Sequence, residues 1–173
     1  MTNSQAQTPS QAGAKKKLRV GWFSFTCCED STIILTELLN DHFFAWRNLL
    51  DIRYAKVLKA KNVLNSLDVA FVEGAISSES QAEKLKKIRS LSQKLVAIGS
   101  CAVSGFPSAQ RNLFKLETIA EIKPVLSRFQ YLDRVLRVDE VVKVDASLTG
   151  CPMEADQFLA LLDNILIEFD LKK

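Results

Sequence analysis

Short apolar runs alternate with amphipathic stretches along this chain. Leu18–Phe25 is rich in strand formers and follows a charged segment, which predicts a first strand. Asp30–Ser31 predicts a helix start. Ile33, Ile34, Leu38, Leu39 and Phe43 follow at helical spacing and predict one apolar face. Asp51–Val57 predicts a second strand. Asn65–Leu67 then turns into Asp68–Glu73, part of an LDVAFVE pattern that suits a strand covered on both faces. Ser77–Ser80 predicts a helix start, with Glu79 and Glu83 near the positive end of the dipole. Leu85, Ile88, Leu91 and Leu95 mark the buried side of that helix. Lys94–Ile98 predicts another buried strand ending at Gly99, and Val141–Leu148 a further one. Glu154–Phe169 predicts a last helix with Phe158, Leu161, Leu162, Ile165 and Phe169 inward.

Strands alternating with helices imply a parallel sheet joined by right-handed crossovers. About five strands with helices on both faces predict an α/β, flavodoxin-like, doubly wound sheet of order 2-1-3-4-5. The pattern is irregular between Phe106 and Glu140, where Thr118–Ser127 predicts a helix interrupted near Pro124. That stretch is too long for a simple loop.

Composition narrows the class. With 173 residues, 47% hydrophobic and 25% charged, the chain suits one soluble domain with a substantial core. Residues 1–17 are rich in Ser, Gln, Thr, Ala and Lys and predict a disordered tail, leaving 18–173 as a single domain. A net charge of +3, without interleaved basic and aromatic residues, argues against nucleic acid. Apolar runs such as Val69–Val72 and Leu159–Leu162 are too short to enter a bilayer as a span. No signal-peptide pattern is found, so a cytoplasmic protein is expected.

In a reducing compartment four cysteines suggest metal or catalysis rather than disulfides. Cys27 and Cys28 directly follow the first strand. Cys101 lies two residues past Gly99, and Cys151 just past the last strand. In a parallel sheet all four positions fall on the carboxyl edge, where α/β proteins bind ligands. Four gathered thiolates hold zinc or an iron–sulfur cluster. Structural zinc prefers two C-x₂₋₄-C knuckles, whereas here only the adjacent pair is close in sequence. That dispersion favours a bulky cluster reached from several loop tips. Taken singly, Cys101 also reads as a small buried hydrophobe. Cys151 stands between Gly150 and Pro152, a setting that suits a rigid ligand loop. A vicinal Cys27–Cys28 disulfide would be strained.

The segments FTCC (Phe25–Cys28), VEGAI (Val72–Ile76), AIGSCA (Ala97–Ala102) and TGCP (Thr149–Pro152) resemble the small subunit of [NiFe]-hydrogenases and the homologous 20 kDa subunit of respiratory complex I. The likeness runs from about Leu18 to Phe169. It implies a flavodoxin-like domain whose four cysteines bind one [4Fe–4S] cluster, proximal to the active site of a [NiFe]-type large subunit. Carried over residue by residue, the ligands are Cys27, Cys28, Cys101 and Cys151. Most hydrogenase small subunits have C-x-x-C in the first loop, which would place a ligand at Ser31. The complex I subunit instead has the adjacent pair that Cys27–Cys28 reproduces, so Ser31 is expected not to ligate. VEGAI, GSCA, the Phe-Pro segment and Arg111–Asn112 resemble cytosolic hydrogenase small subunits.

The resemblance implies an oxidoreductase subunit that is not catalytic alone. It would relay electrons between the large subunit and a further iron–sulfur or flavin subunit. A complex I-like subunit of a quinone- or ferredoxin-linked oxidoreductase is the alternative within the family. From another class come a flavin-binding flavodoxin-like domain and a zinc docking module. The hydroxyl-rich loop Ser24–Thr32 favours flavin only weakly, because it lacks glycine. Glu29 and Glu73 could couple protons to electron transfer. The plainer reading makes Glu29 a helix-start residue and Glu73 a strand-end surface charge. His42 reads as a packing or solvated residue, and Trp22, Phe23 and Phe25 as sheet or interface packing.

Overall fold

The computed structural model describes residues 16–172. The tail expected over 1–17 therefore lies outside the described residues except for Lys16 and Lys17, which are exposed and lead into the first strand. The elements in chain order are β1 (Leu18–Ser24), α1 (Asp30–Leu49), β2 (Leu50–Ala55), β3 (Leu67–Glu73), β4 (Ile76–Ser78), α2 (Glu79–Ser90), β5 (Ser92–Ile98), α3 (Gly99–Ser104), α4 (Leu116–Arg128), β6 (Tyr131–Leu136), β7 (Ala146–Leu148) and α5 (Ala155–Glu168).

Five of these strands form one sheet of order β2-β1-β3-β5-β7, every pairing parallel. Taken in chain order this is the 2-1-3-4-5 arrangement expected from the sequence. The alternation of side chains along each strand sorts the apolar residues into two layers. Val20, Trp22, Val69, Phe71, Val96 and Ile98 face α1 and α5, where they meet Leu35, Trp46, Phe158, Leu162 and Ile165. Phe23, Ala70, Val72, Leu95 and Ala97 face the other way, onto Ala82, Leu85 and Ile88 of α2 and onto Val138. β3 is buried along its whole length, as a central strand covered on both sides must be.

Some expectations need correction. Ile33 and Phe43 do not share the buried face of α1; they are 54% and 48% exposed. The helix turns Ser31, Thr32, Leu35, Leu38 and Trp46 inward instead. It does so because the hydroxyls of the first turn are bonded into the interior, which fixes its rotation about its axis. Leu95 belongs to β5 rather than to α2, which ends at Ser90. The strand expected over Val141–Leu148 shrinks to Ala146–Leu148. Its valines still bury themselves: Val141, Val142 and Val144 pack on the α2-side layer from an irregular segment, without joining a ladder.

The irregular stretch after Phe106 contains a 3-10 turn (Gln110–Leu113), α4, β6 and a second 3-10 turn (Val138–Glu140). α4 continues through Pro124 rather than breaking there. β6 pairs antiparallel with β4 to make a two-stranded sheet that the sequence pattern does not suggest. Arg111 and Asn112 staple the stretch to β6. The Arg111 guanidinium donates to the Leu132 carbonyl at 2.8 Å, and the Asn112 amide bonds both the N–H and the carbonyl of Val135 at 2.8 Å.

Near the amino edge of the sheet, Asp68 accepts hydrogen bonds from the Arg19 backbone N–H (2.8 Å), the Arg19 guanidinium (2.6 Å) and the Gln93 amide (3.0 Å). Burial by itself would raise its pKa, but the bonds and charge of Arg19 outweigh burial and hold the carboxyl below its ordinary value. A carboxyl depressed in the folded state stabilises the fold above its unfolded pKa, and this support fades as pH falls through about 4. Asp68→Ala is expected to cost about 2–3 kcal/mol at neutral pH, because it strands these donors. The difference from wild type should shrink toward pH 3, as denaturant melts at several pH values would report.

Candidate functional site

Four segments at the carboxyl edge are stitched together before any cofactor is considered. After β1, the Phe25 N–H donates to the Glu73 carbonyl (2.9 Å), and Thr26 and Ala75 exchange two backbone bonds of 3.0 Å. The Ser100 N–H donates to the Gly150 carbonyl at 2.7 Å, which joins the start of α3 to the loop after β7. The Ser31 hydroxyl accepts from the Met153 N–H at 3.3 Å and joins the start of α1 to that same last loop.

Where these loops meet is a small recess. All four cysteines line it, together with Asp30, Ser31 and Glu73. The thiols expected from sequence to share one rim are thus brought to a single recess. Cys101 is buried in α3, Cys27 is half-buried, and Cys28 and Cys151 are exposed at the mouth. All four are free thiols. Cys27 packs against a small apolar cluster formed by Ala75, Cys101, Ala109 and Val135. The Ser108 hydroxyl lies 3.2 Å from the Cys101 sulfur and 2.9 Å from the Thr26 carbonyl.

Glycine is required at two points of the rim. Gly74 has φ +92°, and a Cβ there would fall 2.9 Å from the Phe25 carbonyl carbon and 3.1 Å from the Cys27 sulfur. Gly150 has φ +126°, and a Cβ would fall 2.6 Å from the Pro152 carbonyl oxygen across the turn that presents Cys151. Gly150→Ala should therefore distort that turn and cost roughly 2 kcal/mol or more in a thermal melt, combining backbone strain with a clash.

Glu73 corrects an expectation. It is not a surface charge: only 3% exposed, its carboxylate accepts from the Ser31 N–H (3.0 Å) and from the Thr32 hydroxyl (2.6 Å). The Thr32 oxygen in turn accepts from the Trp22 indole N–H at 2.7 Å. Burial raises the Glu73 pKa, and the bonds from Thr32 and Ser31 partly offset this. Glu29 lies exposed before α1 in the left-handed region, with φ 65°. His42 stacks on Trp46 at 5.4 Å, packed as expected, and does not line the recess. Sequence reasoning misses Thr32, Trp22 and Ser108 as supports of this site. Only Thr32 carries a signal, the density of hydroxyl residues between Ser24 and Thr32.

The residues fit an iron–sulfur cluster. Four thiols lining one recess are the donor set such a cluster takes. Burial, with the Glu73 charge adding to it, pushes the Cys27 thiol up to about 12. A thiol so placed keeps its proton until a cationic centre displaces it.

The sheet order and the thiol-lined carboxyl edge define an α/β domain of flavodoxin-like topology with a site at its ligand-binding rim. The family model described as NADH ubiquinone oxidoreductase, 20 Kd subunit, matches residues 27–165, and the chain belongs to that family. It is an oxidoreductase-subunit family, in keeping with the motifs. The chain is 24% identical to the NAD-reducing hydrogenase HoxS subunit delta of Cupriavidus necator, covering 90% of this chain and 81% of that protein. It is 28% identical to a vhu subunit of the F420-non-reducing hydrogenase of Methanocaldococcus jannaschii, covering 84% of this chain but only 56% of that one. In fold it is similar to a chain of an NAD+-reducing [NiFe]-hydrogenase in the H2-reduced state. That match has a TM-score of 0.75 and 23% identity, over 87% of this chain and 92% of the other. Among the described residues, no helix is long and apolar enough to cross a membrane.

Proposed function

We propose that this protein is the electron-transfer small subunit of a cytoplasmic [NiFe]-hydrogenase-type assembly, with one [4Fe–4S] cluster held by Cys27, Cys28, Cys101 and Cys151. The observation that carries this is the single recess lined by all four thiols of the chain. When bound, the cluster would supply one-electron redox chemistry. The protein's own part is to hold four thiolates on stitched loops and to bury one side of the site in apolar packing. Serine and backbone donors around the sulfurs would tune the potential. Cys28 and Cys151 face outward, which leaves the mouth accessible to a large subunit on one side of the relay. A further iron–sulfur or flavin subunit would complete it.

The adjacent Cys27–Cys28 pair and the family model both favour a second reading, a complex I-like relay in a quinone- or ferredoxin-linked oxidoreductase. The large subunit that co-purifies with this chain separates the two, according to whether it carries two C-x-x-C pairs for nickel.

The cluster itself is tested on anaerobically purified full-length protein. A broad iron–sulfur absorption shoulder, with about four irons and four acid-labile sulfides per chain, is expected. A colourless zinc protein, or one with sharp flavin bands, would overturn the proposal.

A further inference from the structure

The chain folds back over Cys101 as soon as α3 ends. Gly105 follows the helix with φ +86°, a conformation that favours glycine. Its N–H donates to the Cys101 carbonyl at 3.1 Å, and its carbonyl accepts from the Ala109 N–H at 2.8 Å. A Cβ on residue 105 would fall 3.2 Å from the Ala109 Cβ, so the turn is tight. This turn sets the Ser108 hydroxyl beside the sulfur of Cys101, seven positions earlier. Among the described residues, no other hydroxyl hydrogen-bonds a cysteine sulfur.

Ser108 stands between two acceptors, the Cys101 sulfur at 3.2 Å and the Thr26 carbonyl at 2.9 Å. A hydroxyl carries one proton and serves one of them at a time. While Cys101 is a thiol, the three groups form a chain. The S–H donates to the Ser108 oxygen, and the Ser108 O–H donates to the Thr26 carbonyl. Ligation changes this, because Cys101 then gives up its proton and its sulfur becomes a charged acceptor. A charged acceptor outcompetes a neutral carbonyl for the Ser108 proton. The Thr26 carbonyl is not stranded by the loss, since the Ala75 N–H also donates to it at 3.0 Å.

The surroundings make this one bond count. Cys101 is the buried member of the four thiols, packed among Ala75, Ala109 and Val135, which carry no side-chain donors. Cys28 and Cys151 are exposed, so water can donate to their sulfurs. Out of water, a hydrogen bond to sulfur has few competitors and acts through a lower dielectric. It withdraws charge from the ligand and favours the reduced, more negative state.

We infer that Ser108 is a positioning residue that raises the reduction potential of the site by donating its hydroxyl proton to the Cys101 sulfur. This rests on the cluster reading above and names the side chain that tunes it.

The test uses the full chain, purified anaerobically, with iron and sulfide assayed first. Ser108→Ala is expected to keep wild-type iron and sulfide and to show a lower potential in an EPR-monitored titration. At a fixed applied potential its reduced-to-oxidised ratio should fall roughly three- to tenfold, a tenfold fall being about 59 mV for one electron. Resonance Raman spectra in H2O and D2O read the proton itself. Part of the deuterium shift of the iron–sulfur stretches should vanish in Ser108→Ala. Ser108→Thr and Ser108→Val have equal shape and differ in the hydroxyl; Thr should stay near wild type and Val should follow Ala. Ser104→Ala should move neither reading, because that hydroxyl bonds the Ser100 carbonyl at 2.8 Å. A hydroxyl that merely ties the turn to Thr26 would lower the melting temperature alone. Unchanged potential and deuterium shift in Ser108→Ala therefore overturn the inference while the cluster stands, as does a Thr variant shifted as far as Val. Wild-type protein without iron and sulfide overturns the cluster reading, and the inference with it.

Discussion

Cys27→Ser should lose its cluster, retaining roughly a tenth or less of the wild-type iron and sulfide, while Ser31→Ala should keep nearly all of both. Both residues line the recess, so proximity alone does not separate them. Their chemistry and present bonds do. The Cys27 sulfur makes a weak contact, 3.9 Å from the Phe25 carbonyl, and is a free thiol. The Ser31 hydroxyl already serves the protein by accepting from the Met153 N–H, and its alcohol is far less acidic than a thiol. Removing it should cost about 1 kcal/mol of fold stability through that bond and little else. Iron and sulfide assays beside a thermal melt check both halves. Cluster loss in Ser31→Ala with retention in Cys27→Ser would sink the tandem-ligand assignment.

Phe158→Ala is the second large effect, expected at about 3–5 kcal/mol of destabilisation. The ring is 1% exposed and stands at the centre of an aromatic group, with ring centroids 5.6 Å from Phe71, 6.0 Å from Trp22 and 6.4 Å from Trp46. Truncation leaves a cavity between α5, α1 and the sheet that these rigid neighbours fill poorly. For a chain of this size the melting temperature should fall by roughly 10 °C. Phe44→Ala is the control. That ring is 78% exposed, and its loss should change stability by less than about 0.5 kcal/mol. Urea unfolding with linear extrapolation measures the pair; equal effects would contradict the assignment of Phe158 to the core.

Much of this is legible in the chain because the signals are local. The near-continuous apolar run in LDVAFVE marks two buried faces for β3, whatever packs on them. The cysteines fall just after predicted strands, and parallel topology then carries those ends to one edge. Other features leave little local trace. β4 has three residues, too few to show a period, and β6 is mostly exposed, so neither reads as a strand. Val141–Val144 resembles a strand because apolar runs report burial, not ladder pairing. The rotation of α1 escapes its apolar spacing because its inward face begins with Ser31 and Thr32, polar residues that only a buried carboxylate makes suitable for the interior.

The sequence by itself determined the parallel sheet, its strand order, the family motifs and the placement of every thiol at a strand end. These follow from periodicity and chain direction, which are properties of neighbours along the chain. Only the tertiary structure decided that Glu73 is a buried anchor and that Ser31 is engaged by the last loop. Those facts depend on pairs separated by 41 to 122 positions. No local pattern encodes such meetings; they arise when packing brings distant side chains into contact and removes the water that would otherwise satisfy them.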